Sequence, residues 1–489
     1  MNQSEEGKPA PRLKLPFIVG GKRYVAPGEQ QVLRTEDRCE VILPAFTADV
    51  KSKIDGLDRN LLRDVPIQDI IAFLNRVGRN WRSSEYSRRR LFIAQLQMVL
   101  GYSEEAAEHE ADWIGVLFTS HARMLDLLDI ELGSRFILDE WVRSDEAMVH
   151  AYPVGRVTHV LPGNVPSSTV ISLLRALLTK NISVLKVASG DPVTALSLAL
   201  SLIELDASHP VTRAVTVAYW PEDNELGAEL IRSSDGVVAW GSAIAVQRAK
   251  ERCGAEASFT PFGPKRSLAL VGRGADPHKA ALGVAHDASL YDQAACFSVQ
   301  EVFVEGDLEP FLTELDAGLR RYESLLPPRK LSTDELAYLN GRRLDQEFAG
   351  GKLYATASRA AIFVAPADAQ LDPPLEAPLQ RTVIVRPVKD LVEALAHVDE
   401  GVQTVAVAPW DVIAEHRDEL AKRRVSRIVE LGLNNVFRIG GTHDGMRPLQ
   451  RLVRYVSHEA PAREFPKGMV LPLDQTKILE NKSFQDVVF

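Results

Sequence analysis

GRVTHVLPGNVPSSTVISLLRALLTKNISVLKV, residues 155–187, decides the fold. Its opening reads as a strand running into a Pro162-Gly163-Asn164 turn. PSSTVISLLRALLTKN is spaced as a helix, with Pro166 in the first turn, where a missing N–H costs nothing, and Asn181 near the end. ISVLKV is a short run of branched apolar residues, the mark of a strand covered on both faces. Working outward, the alternation continues. DPVTALSLALSLIEL is a second helix, with Asp191 as its N-cap and Pro192 just inside. AVTVAYW is a third strand, ELGAELIRSS a helix and GVVAWGS a fourth strand. Strands alternating with helices of this length predict a parallel sheet sandwiched by helices, an α/β fold.

A second α/β region begins near residue 265 with RSLALVG. EVFVEG, AAIFVAP, RTVIVRPV and VQTVAVAP read as further strands, and NNVFRIG as a last one. LSTDELAYLNGRRLDQEF is a helix opened by Ser332 or Thr333 with a carboxylate soon after, a capping-box pattern. On the other side, FIVGGKRYV and CEVILPAF are strand-like and residues 65–130 are helical. Residues 1–15 are expected to be disordered, and GMRPLQRLVRYVSHE forms a C-terminal segment.

Composition narrows the function. The chain has 489 residues and a formal net charge of −9, which argues against a nucleic-acid or anionic-membrane partner. The basic run from Arg76 to Arg90 reads as a solvated helix face. Three cysteines, Cys39, Cys253 and Cys296, make neither a disulfide framework nor a CxxC zinc site, and fit a reducing compartment. The N-terminus lacks an apolar stretch of signal-peptide length, and no apolar run is long enough to span a bilayer. A soluble, cytoplasmic protein is expected.

Several kinds of chemistry are unsupported. No GxGxxG fingerprint follows a strand; GRGADP at 272 lacks the third glycine. No HExxH, no GxSxG elbow and no ligand cluster of metal-binding spacing occurs, and His443-Asp444 in GTHDG reads as a turn. Two strand ends remain. Lys186 closes ISVLK at the carboxyl edge of the sheet, where a point charge can meet ribose or phosphate. Gly241-Ser242 closes VVAWGS, where bare amides can receive a pyrophosphate. Cys296, in YDQAACFSVQ, is a candidate nucleophile.

The order of segments carries more. LPGNVP, LLTKNISVLKVASGDPVTAL, VVAWGS, FGPKRSLAL and YDQAACFSVQEVFV, followed by HDGMRPLQRLVRYVSHE, resemble the aldehyde dehydrogenase superfamily and, within it, the LuxC-type acyl thioester reductases. The resemblance implies a Rossmann-type cofactor domain (1–260, with an oligomerisation excursion near 134–157), a catalytic domain carrying Cys296 (261–440) and a C-terminal return (441–489). It implies Cys296 as nucleophile and Asn164 as the side-chain amide of an oxyanion hole. It also implies a cofactor site at Pro162, Gly163, Lys186, Ser189, Gly241 and Ser242, with Lys186 on the adenosine ribose. A homodimer or homotetramer is expected.

Departures from the superfamily pattern sharpen the expectation. Where hydrolytic members carry a base glutamate, this chain reads Pro261-Phe262-Gly263-Pro264. An acyl-enzyme with no base for water survives to be reduced, so acyl thioester to aldehyde is favoured. The second superfamily carboxylate is not evident near RTVIVRPV. Three residues after Lys186, where NAD-preferring members carry glutamate, stands Ser189, which favours NADPH over NADH. The donor would be a long-chain acyl-CoA or an acyl group on a carrier or acyl-protein synthetase. The rival readings are a hydrolytic or CoA-acylating aldehyde dehydrogenase and an idle scaffold subunit of an acyl-transfer complex. His286, ten residues before Cys296, is read as a core or surface histidine.

Overall fold

The computed structural model describes residues 11–459 except 26–27, 36–37, 146, 357–358, 367–378 and 439. Its first sheet holds β1 (Phe17–Val19), β2 (Lys22–Tyr24), β3 (Arg156–Val160), β4 (Ile182–Lys186), β5 (Val215–Ala218), β6 (Gly236–Trp240) and β7 (Ser258–Phe262). Their spatial order is β7-β6-β3-β4-β5-β1-β2. β3 to β7 are parallel, and the β1–β2 hairpin closes one edge antiparallel. Val184, Leu185, Val215 and Val217 are buried, as strands covered on both faces require.

Helices α1 (Ile67–Trp81) and α2 (Glu104–Thr119) lie in the chain between β2 and β3, and α3 (Pro166–Leu178), α4 (Thr194–Asp206) and α5 (Ala243–Arg252) cross between the sheet's strands. α4 begins later than expected. Pro192 lies before it, yet the Asp191 carboxylate still accepts from the N–H groups of Val193 and Thr194, both at 3.0 Å. The Asp191 side chain therefore caps from outside the first turn, and the helix starts where φ and ψ become helical.

The second sheet holds β8 (Arg266–Val271), β9 (Val299–Glu305), β10 (Lys352–Thr356), β11 (Ala361–Val364), β12 (Thr382–Val388), β13 (Val402–Ala408) and β14 (Arg427–Glu430). The order is β10-β11-β12-β9-β8-β13-β14, parallel except for β10. Helix α6 (Pro277–Ser289) leads into the Cys296 segment, and α7 (Thr333–Phe348) opens with Ser332 and Glu335 capping each other reciprocally. A third, antiparallel sheet joins Val142–Ser144, Ala147–Pro153 and Val453–Glu459, so part of the 134–157 stretch meets the late chain.

Three expectations need correction. Residues 12–14 are not disordered: Arg12–Lys14 pairs in parallel with Cys39–Pro44, and Leu15 donates to Ile42 O at 2.9 Å; residues 1–10 lie outside the described residues. The described part of NNVFRIG, residues 434–438 and 440, is not a strand. The Arg427 guanidinium takes the carbonyls of Asn434 (2.9 Å) and Val436 (3.0 Å), which satisfies that backbone without a sheet partner. The last strand of the second sheet is instead β14, unread in the sequence. The basic run is only partly solvated: Arg89 is buried on Asp112 at 2.8 Å and Arg88 pairs with Glu204.

Candidate active site

The expected cofactor residues gather at the carboxyl edge of three adjacent strands. Lys186 stands level with Val160 of β3 and Ala218 of β5. The β3 turn at Pro162 and Gly163 packs against the loop after β4: a Cβ on Gly163 would sit 3.2 Å from Gly190 Cα. A side chain there would force the facing backbone to give by a few tenths of an ångström. Ser189 is exposed beside it. Gly241, at φ +140°, ends β6, and Ser242 caps α5 by accepting from Ala245 N–H at 3.3 Å.

Lys186 makes no ion pair among the described residues. Its ammonium lies over the rings of Tyr219 (5.9 Å) and Trp220 (5.8 Å), and burial pulls it down to about 8, against the pull of the Glu222 charge. A poorly solvated cation, a bare glycine contact and a Gly-Ser helix start on one sheet edge fit a dinucleotide with an anionic centre.

Cys296 enters from the second sheet. The three residues Tyr291, Asp292 and Gln293 all have left-handed φ (56°, 49° and 61°). Each such residue costs about 1–2 kcal/mol, so the turn persists only if its surroundings hold it. They do. Arg381 Nε donates to Asp292 Oδ1 at 2.9 Å, Arg329 N–H donates to Asp292 Oδ2 at 2.8 Å, and Gln293 Nε2 donates to the carbonyls of Val299 and Thr382. Ser267 Oγ then fixes the Cys296 carbonyl at 2.7 Å. The two sheets meet here: Asn164, exposed after the β3 turn, donates from Nδ2 to Ala294 O at 2.7 Å. The oxyanion candidate is thus brought to the segment that carries the nucleophile candidate.

The thiol is quiet at rest. Burial, reinforced by the Asp444 carboxylate, pushes it up to about 12; the Gln403 amide and the Arg427 guanidinium act the other way. His286 does not reach it: Nδ1 bonds the Tyr322 hydroxyl at 2.8 Å. Cys39 and Cys253 are also raised by burial, and nothing in the site involves them.

The region of Pro261 to Pro264 carries no carboxylate. Phe262 there stacks on Trp240 (3.9 Å between centroids) and tilts onto His443 (4.5 Å). His443 is buried against Arg175 and held well below its ordinary range, so it is neutral. An aromatic line continues through Phe437 and Phe297. On the other side of Asn164 lies a cavity of about 20 Å³, bounded by Tyr102, His109, Glu110, Tyr291 and Arg329. Glu110 is buried there. Its Oε2 accepts from Ser167 N–H at the start of α3, and its Oε1 has no partner among the described residues. Burial, then the nearby Asp191 charge, pushes Glu110 up to about 8.

The sequence reading missed Gln403, Asp444, Arg427, Glu110 and the Asp292–Arg381 pair. Only weak signals existed: a Gln-Thr pair opening the apolar β13 run, and the Asp-Gly of a tight turn. Among the described residues no group of His, Cys, Asp and Glu is placed to hold a metal ion, and no helix is long and apolar enough to cross a membrane.

The architecture is that of the aldehyde dehydrogenases. 1-Pyrroline-5-carboxylate dehydrogenase from Thermus, solved with bound NAD, superposes with a TM-score of 0.69 at 17% identity, over 92% of this chain and 93% of that one. NADP-dependent glyceraldehyde-3-phosphate dehydrogenase from Bacillus halodurans C-125, complexed with NADP, gives 0.68 at 15% identity, over 91% and 99%. Residues 62–455 match the family described as acyl-CoA reductase (LuxC), and the chain belongs to that family. It is 39% identical over 475 residues to long-chain acyl-protein thioester reductase 2 of Photobacterium leiognathi, covering 96% of this chain and 98% of the relative.

Proposed function

We propose that this protein reduces a long-chain acyl thioester to the aldehyde through an acyl group carried on Cys296. The observation that carries the reading is the hydrogen bond from Asn164 to Ala294, two residues before Cys296, in a site where Phe262 and its aromatic neighbours occupy the segment that would otherwise present a base for water. Asn164 Nδ2 and the Cys296 N–H supply the two donors for a tetrahedral oxyanion, each typically worth about 3 kcal/mol. The acyl-enzyme then meets no carboxylate from the segment Pro261 to Pro264 that could serve as a base for water.

A nicotinamide supplies the hydride when bound. Gly163, Gly241 and Ser242 would hold its phosphates, and Lys186 its adenosine ribose. Ser189 leaves room for a 2′-phosphate, which favours NADPH. The donor is an acyl-protein, as in the name of the relatives, or acyl-CoA. The domain division at about 260 and 440, a cytoplasmic location and a homodimer or homotetramer built on the three-stranded antiparallel sheet complete the proposal.

Intact-protein mass after mixing with a long-chain acyl-CoA tests it. One acyl mass is expected on the wild type, none on Cys296→Ala, and NADPH should clear it as aldehyde. An adduct that decays to free acid without cofactor would refute the reductase reading.

A further inference from the structure

The left-handed turn at Tyr291, Asp292 and Gln293 has a counterpart. Gln380 and Arg381, just before β12, are left-handed too, at φ 43° and 62°. One buried pair joins the two stretches: Arg381 lies on Asp292 at 2.8 Å. The chain from Leu326 to Glu335 closes over both. Leu326 O accepts from Arg381 Nη2 at 2.6 Å, and Arg329 O accepts from Gln380 Nε2 at 2.7 Å. The Arg329 N–H donates to Asp292 Oδ2 at 2.8 Å.

The next residue is gripped from the side of the first sheet. The Lys330 N–H donates to Gly101 O at 2.8 Å, and the Lys330 carbonyl accepts from Arg38 Nη2 at 2.7 Å. Gly101 has φ 74°, and a Cβ there would sit 2.8 Å from that carbonyl oxygen, so a side chain would push the segment away. Arg38 is anchored on the same side. Cys39 is buried in the core beneath the first sheet, and Gln31, on the strand paired with Cys39–Pro44, donates to Tyr219 O at 3.0 Å. Glu335 ties the two grips together. Its Oε1 accepts from Arg329 at 2.7 Å; its Oε2 accepts from Arg38 at 3.1 Å and from the Ser332 N–H at 2.9 Å. The capping box at the head of α7 thus fixes one acceptor that Arg38 and Arg329 share. All three side chains are less than a fifth exposed, which sets the cluster apart from solvated surface pairs of little worth.

We propose that Arg38 and Glu335 are positioning residues for Cys296. Through Lys330 and Arg329 they pass the hold of the first-sheet side to Asp292, four residues before the sulfur, and so set Cys296 in register with Asn164. This rests on Cys296 being the acyl carrier. Asn164 belongs to the first-sheet side and Cys296 to the second, so an oxyanion site between them exists only when the two sides are in register. Asn164 Nδ2 itself bonds Ala294 O across that divide, but it is the donor the oxyanion needs. The register therefore has to be held by groups that take no part in the reaction, and the Arg38–Glu335–Arg329–Asp292 chain is such a set.

Arg38→Leu is the test, since it removes the bonds across the divide and leaves Glu335 with Arg329 and its cap. Two rates are read on the full chain by mass: acylation of Cys296 by a long-chain acyl-CoA, and alkylation of Cys296 by iodoacetamide, with Cys253 of the same protein as internal standard. Acylation should fall about tenfold, the size of one hydrogen bond to a charged group. Alkylation of Cys296 relative to Cys253 should rise several-fold, because a released turn shields the sulfur less. Glu335→Gln should act in the same directions, and the double variant should acylate no more slowly than the slower single, because both act through one contact. Gly101→Ala, which disturbs the segment without removing a charge, should repeat the pair of changes. A merely structural role would raise alkylation of Cys253 and Cys296 alike, or make the losses of the two single variants multiply; either result overturns the proposal. So does acylation of Arg38→Leu at the wild-type rate. If the wild type itself never carries an acyl group on Cys296, the nucleophile reading fails, whereas an unchanged alkylation ratio in Arg38→Leu refutes the hold on the turn by itself.

Discussion

Replacing Glu110 by Gln should change how the fold responds to pH. Glu110 is 2% exposed, and its ordinary value of 4.5 is pushed up to about 8, first by burial and then by the Asp191 charge. A carboxyl held above its unfolded value binds its proton more tightly in the fold. Its stabilising contribution is complete below 4.5 and is lost as pH rises towards and through 8. At about 1.4 kcal/mol per pH unit, the wild type loses about 4 kcal/mol at this site between pH 5 and pH 9. The amide of Glu110→Gln has no such proton to lose. Its oxygen can accept from Ser167 N–H, and its NH₂ can turn towards the position of the unpartnered Oε1. An unfolding entropy near 2.1 cal/mol/K per residue, for one cooperative unit of this length, converts the figure to about 4 °C. Melting curves of both proteins at pH 5, 7 and 9 check it. The melting temperature of E110Q relative to wild type should climb by about that amount across the range. Parallel curves would show that Glu110 is already ionised in the fold, and would refute the burial argument.

Other substitutions reach the remaining parts of the site. Asn164→Ala should lower kcat for the reductase by about 10²–10³-fold with little change in KM, measured by aldehyde formation, because an oxyanion donor acts mainly in the transition state. Ser189→Glu should raise the KM for NADPH about tenfold while leaving NADH nearly unchanged, equivalent to about 1.4 kcal/mol of repulsion on the 2′-phosphate. Arg381→Leu strands the buried Asp292 charge and releases the left-handed turn before Cys296; it should cost about 3–5 kcal/mol in thermal or urea unfolding and abolish acylation.

The parts of this molecule that can be read in the sequence are those whose cause is local. Residues 155–187 fold as a strand, a turn, a helix and a strand because Pro166, Gly163 and the ISVLK run each act within a few positions, and the structure keeps all of them. The Ser332–Glu335 capping box is local in the same sense. NNVFRIG reads wrongly as a strand because the side chain that holds its carbonyls, Arg427, belongs to another strand. Residues 11–15 read wrongly as disordered because their partner strand, Cys39–Pro44, lies beyond an intervening strand.

The electrostatics of Cys296 fail to be legible for a deeper reason. Gln403 interrupts the apolar run of β13, and Arg386 interrupts that of β12, in the same way. Arg386 is bound to Glu301 of the adjacent β9 at 2.9 Å, both nearly inaccessible, and to the Pro366 carbonyl at 2.7 Å. Gln403 instead reaches Asp444, in the tight turn that follows the second sheet. A buried polar residue must find a partner wherever topology offers one. Which of two such intrusions serves chemistry therefore depends on what stands across from it, and only the folded chain fixes that.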